Sequence, residues 1–173
     1  MTTRNTTFPT RIIAEIIIFV SLATALSLIK IYTLPQGGSI TLGMVPLLWL
    51  AIRRGPKIGI FSGALFGCVD LAIEPYVVHP VQFLLDYPVA FAALGLAGFF
   101  QNLPEVGVVV GVTGRFVSHF VSGVVFFASF APSGMSPIVY SAIYNGSYLL
   151  PDMIICMFIM FILNRSNVLK SYL

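Results

Sequence analysis

Long apolar runs separated by short polar connections dominate this chain. The runs predict six helices, at about residues 11–32, 38–52, 57–74, 80–100, 106–130 and 137–163. The connections are rich in glycine, proline and charged residues, which end helices. A helix that crosses a lipid bilayer needs about 20 largely apolar residues. The pattern therefore predicts an all-α integral membrane protein, with residues 1–173 forming one domain built as a bundle of six transmembrane helices.

The amino-acid composition favours the same class of protein. The chain is 58% hydrophobic and 9% charged, whereas a soluble domain carries about 25% charged residues. A water-exposed domain of this size has too little core to bury so many apolar side chains. The net charge of +3 does not indicate a nucleic-acid partner, because the basic residues are scattered at the ends of the apolar runs. The expected surroundings are therefore lipid.

The positions of the basic residues predict how the chain is oriented. If the N-terminus is cytoplasmic, seven basic residues fall on the cytoplasmic side and only Lys30 falls near the outer side. The seven are Arg4, Arg11, Arg53, Arg54, Lys57, Arg165 and Lys170. Short cytoplasmic loops carry an excess of lysine and arginine. We therefore expect a multi-pass protein of the cell membrane with both termini in the cytoplasm.

A few ionisable residues interrupt the predicted spans. Such residues are costly in lipid and by default indicate function. They are Asp70, Glu74, Asp86, Arg115, His119 and Asp152. In the predicted orientation most of them lie in the outer half of the bundle, at the level of Tyr140 and Asn145. Because acids outnumber the single base Arg115, a cationic or amine-bearing solute fits this region better than an anion.

Helical spacing arranges some of these residues in stripes. Arg115, His119, Gly123 and Phe127 recur every fourth residue and share one helix face. Gly123 is expected to leave room beside the His119 imidazole, and Phe127 to offer an aromatic face. A second stripe consists of Asn145, Tyr148 and Asp152. The alternative is that both stripes are interhelical contacts, with Arg115 paired to an acid.

Motifs of enzymatic chemistry are weak or missing in the sequence. Neither the GxxxxGK[ST] nor the GxGxxG nucleotide-binding pattern occurs, so the chain is not expected to hydrolyse ATP. Asp70, Glu74 and His79 are close in sequence but make a poor metal site, and Cys68 and Cys156 stand alone in apolar segments. The sequence therefore predicts a protein that is not an enzyme and holds no metal or cofactor.

The first predicted helix carries small residues on one face. Ser21 and Ala25 are four residues apart, and such a pair lets another helix approach closely in lipid. The face is open to two interpretations, internal packing within the bundle or contact with a partner subunit.

Several segments, taken in order, resemble a known family. They are Pro46 with residues 50–55 (Leu-Ala-Ile-Arg-Arg-Gly), residues 82–88 (Gln-Phe-Leu-Leu-Asp-Tyr-Pro), residues 94–100 (Leu-Gly-Leu-Ala-Gly-Phe-Phe), residues 115–127, and residues 140–146 (Tyr-Ser-Ala-Ile-Tyr-Asn-Gly). The chain resembles the thiamin-specific S components of energy-coupling factor (ECF) vitamin transporters. The resemblance implies a prokaryotic membrane protein that captures thiamin from outside. It also implies docking through the first helix onto a transmembrane coupling subunit, which is bound to two ATPase subunits.

The resemblance also implies a binding site. It assigns substrate-binding roles to Tyr76, Asp86, Tyr87, Arg115, His119, Phe127, Tyr140 and Asn145, and the stripe described above adds Gly123. Asp86 stands in place of a glutamate and Arg115 in place of a lysine, while Phe127 and Gly37 stand where the family has tryptophans. Aromatic faces are expected to hold the flat rings of thiamin. Asp86 is expected to supply the counter-charge, and Asn145 with Tyr140 to bind ring heteroatoms.

Two other functions remain open at this point. One is an S component for another vitamin or for a thiamin precursor, such as hydroxymethylpyrimidine or hydroxyethylthiazole. The other is a small intramembrane enzyme or a self-sufficient secondary transporter. Internal repeats or an acid and base pair would favour the second alternative, and neither is evident in the sequence.

Overall fold

The computed structural model describes residues 9–166. Its helices are α1 (Thr10–Ser27), α2 (Met44–Arg54), α3 (Pro56–Ile73), α4 (Pro80–Phe99), α5 (Pro104–Phe126) and α6 (Pro137–Arg165). Two short antiparallel strands, β1 (Tyr32–Thr33) and β2 (Ser39–Ile40), form a hairpin between α1 and α2. A single 3₁₀ turn, Ala128–Phe130, follows α5. Two residues of the orientation argument, Arg4 and Lys170, lie outside the described range.

The outer surface of the helices is apolar. Within residues 9–166, five helices are long and apolar enough to cross a bilayer, namely α1, α3, α4, α5 and α6. Large apolar side chains lie exposed on their outer faces, such as Ile18 at 61% and Phe158 at 65%. Side chains of this kind are stable on the outside of a protein when the surroundings are lipid. The predicted class, a largely helical multi-pass membrane protein, is confirmed.

The second predicted helix is shorter than expected. The sequence predicted residues 38–52, but the chain forms the β hairpin first, and α2 then has only 11 residues. The turn Pro35-Gln36-Gly37-Gly38 folds the chain back, because Gly37 takes a φ of 91° and Leu34 N donates to Gly38 O, and residues 39–40 then pair with β1 and do not start the helix. At 1.5 Å per residue, α2 is about 16 Å long, roughly half of a bilayer core. Seven of its residues are buried, so α2 forms the centre of the bundle.

A glycine face on α3 sets the position of α4. Gly59, Gly63 and Gly67 follow one another at intervals of four and face the α4 backbone. A Cβ at Gly67 would lie 2.6 Å from the Tyr87 carbonyl oxygen. The absence of side chains therefore permits backbone contact between the two helices, as small residues do in membrane bundles.

Helix α4 changes its winding along its length. It begins as an α-helix, forms a π-helical turn at Leu85–Val89, and ends as a 3₁₀ helix at Leu94–Phe99. Pro88 lies inside the π turn, and because proline has no N–H it cannot make the regular α-helical hydrogen bond. The turn carries Asp86 and Tyr87, so the irregular backbone lies at two of the predicted site residues.

Ion pairs hold the two ends of the bundle. At one end the Arg54 guanidinium donates two hydrogen bonds of 2.6 Å to Glu15 of α1. At the other end Lys30, which follows α1, donates to both carboxylate oxygens of Glu74 at 2.6 and 2.7 Å. We call these two ends of the bundle the Arg54 end and the Glu74 end. Helix α1 therefore begins at the same end at which α2 finishes.

Candidate functional site

A cavity of about 570 Å³ lies toward the Glu74 end of the bundle. All nine predicted site residues line it: Tyr76, Asp86, Tyr87, Arg115, His119, Gly123, Phe127, Tyr140 and Asn145. They come from α4, α5, α6 and the segments that follow α3 and α5. The structure thus brings together at one cavity residues that lie up to 69 positions apart (145 − 76) in the chain.

A chain of polar contacts crosses the cavity wall. Arg115 Nε donates to His119 Nε2 over 3.2 Å, and His119 Nδ1 lies 3.1 Å from Asp86 Oδ1. Because Arg115 can only donate, His119 Nε2 must be unprotonated, which assigns the ring proton to Nδ1 and lets it donate to Asp86. A neutral imidazole therefore links the charges of Arg115 and Asp86. The alternative interpretation paired Arg115 with an acid, and among the described residues Arg115 reaches Asp86 through His119.

The Arg115 guanidinium also has an apolar partner. Its central carbon lies 4.1 Å from the centre of the Phe91 ring on α4. This is the arrangement in which a cation is attracted by the electrons of an aromatic face. Phe91 itself is 6% exposed and belongs to the core. The arginine is thus held between the core and the cavity.

Gln82 organises the site and was not among the predicted residues. It is 1% exposed, and its Nε2 donates to Asp86 Oδ2 at 2.7 Å and to the Tyr76 carbonyl oxygen at 3.0 Å. Its Oε1 accepts from Val78 N at 2.9 Å. Gln82 therefore fixes both the Asp86 carboxylate and the segment after α3. Its position four residues before Asp86, inside an apolar run, was the available signal.

Aromatic side chains form a second wall. The Tyr76 and Phe127 rings stack with their centres 5.9 Å apart. Tyr87 holds this wall in place, because its hydroxyl donates to Glu74 O at 2.8 Å and accepts from Tyr76 N at 2.9 Å. Helix α5 was predicted to reach residue 130 but ends at Phe126, so Phe127 is the residue that caps it.

Three tyrosines at intervals of four on α6 line the cavity together. The ring centres of Tyr140 and Tyr144, and of Tyr144 and Tyr148, are each 5.9 Å apart. Gly38 of the hairpin donates from its N–H to the Tyr144 hydroxyl over 2.9 Å. A Cβ at Gly38 would lie 2.7 Å from the Tyr148 ring. The hairpin therefore packs directly on the tyrosines. The interval of four predicts this row, and Tyr144 belongs to the segment 140–146 that carries the resemblance, where no site role was assigned to it.

Gly123 serves a different purpose from the one predicted. Its missing side chain was expected to leave room beside His119, but a Cβ there would collide with Ser141 Oγ of α6. Ser141 Oγ donates to Phe120 O over 2.9 Å. Gly123 therefore permits close contact between α5 and α6, although it also lines the cavity. The expected space is filled by the neighbouring helix.

Asn145 is held mainly by its own helix, and its Nδ2 also donates to His119 O of α5 over 3.4 Å. Its Nδ2 donates to Ser141 O at 2.9 Å, and its Oδ1 accepts from the Tyr148 hydroxyl at 2.9 Å. The residue is 5% exposed. These contacts fix the amide at the cavity wall and leave Asn145 with capacity for one further hydrogen bond through Oδ1.

Other residues singled out in the sequence lie away from the cavity lining. Asp152 is 1% exposed and accepts from Thr41 N over 3.1 Å, so it tethers the hairpin to α6. His79 caps α4 by accepting from Val81 N over 3.1 Å. Ser21 and Ala25 are exposed on α1. Among residues 9–166 no group of three or more His, Cys, Asp or Glu side chains is placed to hold a metal.

Comparisons with known proteins agree on one family. Residues 13–171 match the family described as Thiamine transporter protein (Thia_YuaJ). The chain is 36% identical to "Thiamine transporter ThiT" of Bacillus subtilis (strain 168), over 91% of this chain and 93% of the relative. It is 32% identical to the protein of the same name from Lacticaseibacillus paracasei, over 78% of this chain and 77% of the relative.

A solved structure shares the fold. It is described as ThiT from Listeria monocytogenes, with a TM-score of 0.82 and 28% identity over 94% of both chains. The relatives are named as transporters, which confirms the prediction that the chain is a transport protein and not an enzyme. The resemblance to the thiamin-specific transport components is confirmed as well. The chain belongs to the family of thiamine transporter proteins.

Proposed function

We propose that this protein binds thiamin in the cavity at the Glu74 end and acts as the substrate-binding S component of an ECF transporter. The family assignment supports the ligand. The observation that carries the proposal is the cavity itself, where a stacked aromatic pair lies near a carboxylate linked to histidine and arginine. Thiamin needs such surroundings because it joins a flat aminopyrimidine to a positively charged thiazolium ring.

The cavity suits a ligand of this size and chemistry. Its volume of about 570 Å³ falls within the roughly 300–1,000 Å³ of small-molecule sites. Tyr76 and Phe127 offer stacking faces that also attract a cationic ring. Asp86 offers carboxylate oxygens to an exocyclic amine, and Tyr140 with Asn145 offers a hydroxyl and an amide to the ring nitrogens. Both rings of thiamin thus have matching side chains.

We infer the orientation from the charges at the two ends. Arg53 and Arg54 lie at the Arg54 end, and the cavity lies toward the other. The excess of basic residues favours the cytoplasm for the Arg54 end, so the cavity faces outward in the plasma membrane of a bacterium. The hairpin segment and α2 together make the second of six crossings. Both termini are then cytoplasmic.

ATP-driven transport requires partners, since the chain carries no nucleotide-binding motif. We propose that α1 docks on the transmembrane coupling subunit of an ECF module, whose two ATPase subunits supply the energy. Ser21 and Ala25 are exposed on α1 among large exposed residues such as Ile18 and Leu22. Small residues on a lipid-facing helix allow a second helix to approach closely.

Calorimetric titration of the purified chain tests the proposed ligand. We expect saturable binding of one thiamin per chain, and weaker binding of its halves hydroxymethylpyrimidine and hydroxyethylthiazole. Tighter binding of either half would assign the protein to that precursor. Calorimetry is preferable to intrinsic tryptophan fluorescence, because Trp49 packs on Phe19 with ring centres 6.2 Å apart and is absent from the cavity lining.

A further inference from the structure

The charges that line the cavity do not balance. Two basic residues, Lys30 and Arg115, and three acidic residues, Asp70, Glu74 and Asp86, contribute to the lining. Counted in their charged forms, with His119 neutral as its hydrogen bonds require, they leave one negative charge in excess. A cavity of low dielectric constant strengthens the effect of such an excess.

Two of the three acids already have a basic partner. Glu74 accepts both of its hydrogen bonds from Lys30. Asp86 is linked to Arg115 through the His119 imidazole and also accepts from Gln82. The charges of these acids are therefore compensated within the protein.

Asp70 is the acid without such a partner. Within residues 9–166 its carboxylate has no hydrogen-bond donor, and the charges of Arg115, Lys30 and the like-charged Glu74 act on it only at longer range. It projects from α3 into the cavity lining. A half-buried carboxylate of this kind is stabilised when a positive group enters the cavity.

We propose that Asp70 is the residue that makes the cavity selective for a ligand with a single positive charge. This inference rests on the proposed function, because the thiazolium ring of thiamin carries that charge. Asp86 then serves mainly as a hydrogen-bond acceptor, since Arg115 already offsets its charge. The sequence prediction gave the counter-charge to Asp86 alone, and the contacts of the cavity assign it to Asp70 instead.

Two ligands of the same shape separate charge from fit. One is thiamin, and the other is a neutral isostere in which carbon replaces the quaternary thiazolium nitrogen. Their dissociation constants are measured by calorimetry on the purified full chain and on two variants, Asp70→Asn and Asp70→Glu. The asparagine variant keeps the size of the side chain and removes the charge. The glutamate variant keeps the charge.

We expect Asp70→Asn to weaken thiamin binding by about tenfold or more, while binding of the neutral isostere changes by less than about threefold. Asp70→Glu is expected to retain the preference for thiamin. Retained binding of the isostere shows at the same time that the asparagine variant is folded.

The inference is overturned if Asp70→Asn leaves the ratio of the two affinities unchanged, whether both affinities keep the wild-type value or both fall by the same factor. If the wild type binds thiamin but Asp70→Asn keeps the ratio of the two affinities, the proposed function stands. Asp70 then does not determine the preference for a charged ligand. Wild-type protein that binds neither ligand contradicts the proposed function itself.

Discussion

Replacement of Gln82 by leucine tests whether the polar contacts behind the cavity position its carboxylate. Leucine has a similar volume and is suited to a site that is 1% exposed, so packing is largely kept. The change removes the hydrogen bond of 2.7 Å to Asp86, the bond of 3.0 Å to Tyr76 O and the bond of 2.9 Å from Val78 N. Asp86 then keeps the contact with His119 as its remaining side-chain contact among the described residues.

The structure sets the size of the expected effect. A hydrogen bond to a charged group contributes about 1.5–3 kcal/mol, and a neutral one about 0.5–1.5 kcal/mol. The backbone groups of Tyr76 and Val78 lie in an exposed segment, where water replaces part of what they lose. We therefore expect a loss of stability of about 2–3 kcal/mol. Displacement of the Asp86 carboxylate is expected to weaken thiamin binding by about tenfold, or 1.4 kcal/mol.

The assay combines calorimetry with a thermal melting curve in detergent. Val81→Leu is the matched control, because Val81 is the preceding residue and is 48% exposed. The control is expected to bind thiamin like the wild type. If Gln82→Leu protein is folded and binds thiamin with wild-type affinity, the positioning role of Gln82 is wrong.

Four further substitutions, with Val121→Ala as a control, test the site and the docking face. Asp86→Asn is expected to weaken thiamin binding by about 2–4 kcal/mol, because it removes an acceptor and leaves the Arg115 charge without its partner; an unchanged calorimetric affinity would exclude the carboxylate from the site. His119→Ala and Phe127→Ala are each expected to reduce thiamin affinity at least tenfold, about 1.4 kcal/mol, whereas Val121→Ala, on an exposed face, is not; equal losses at all three would indicate general destabilisation. Ala25→Trp is expected to abolish ATP-dependent uptake in vesicles that contain the coupling module while calorimetry still detects thiamin binding, and normal uptake would show that α1 docks elsewhere.

The helices were predictable because their apolar runs are long. Helices α3, α5 and α6 begin within two residues of the predicted positions 57, 106 and 137. The hairpin before α2 could not be told from the start of a helix by the same means, since each of its strands has only two residues, too few to show an alternating pattern. What separates the two structures there is the turn at Gly37, whose φ of 91° is a property of the folded backbone.

The residues of the cavity were predictable in part. Four of them recur every fourth residue along α5 and its C-terminal cap, and that pattern identified His119 and its neighbours. Gln82 was not predicted, because a neutral amide lacks the charge that makes a residue inside a span costly and so marks it as functional. The pairing of Lys30 with Glu74 was not predictable, because 44 residues separate them and only the packed bundle brings their charges together.

Gly123 shows why a correct residue can receive the wrong role. The interval of four places it beside His119 on α5, and this neighbourhood suggested free space. The adjoining helix is not visible in that pattern, and Ser141 of α6 occupies the space. Spacing along one helix identifies a shared face, whereas the occupant of that face depends on tertiary packing.

The central claim is that thiamin occupies the cavity at the Glu74 end. A structure of the protein determined with bound thiamin tests this claim most directly. We predict ligand density between the Tyr76 and Phe127 aromatic wall and the Asp86 carboxylate, with the aminopyrimidine within hydrogen-bond distance of Asn145 or Tyr140. Thiamin bound at another surface, with this cavity free of ligand density, would contradict the account.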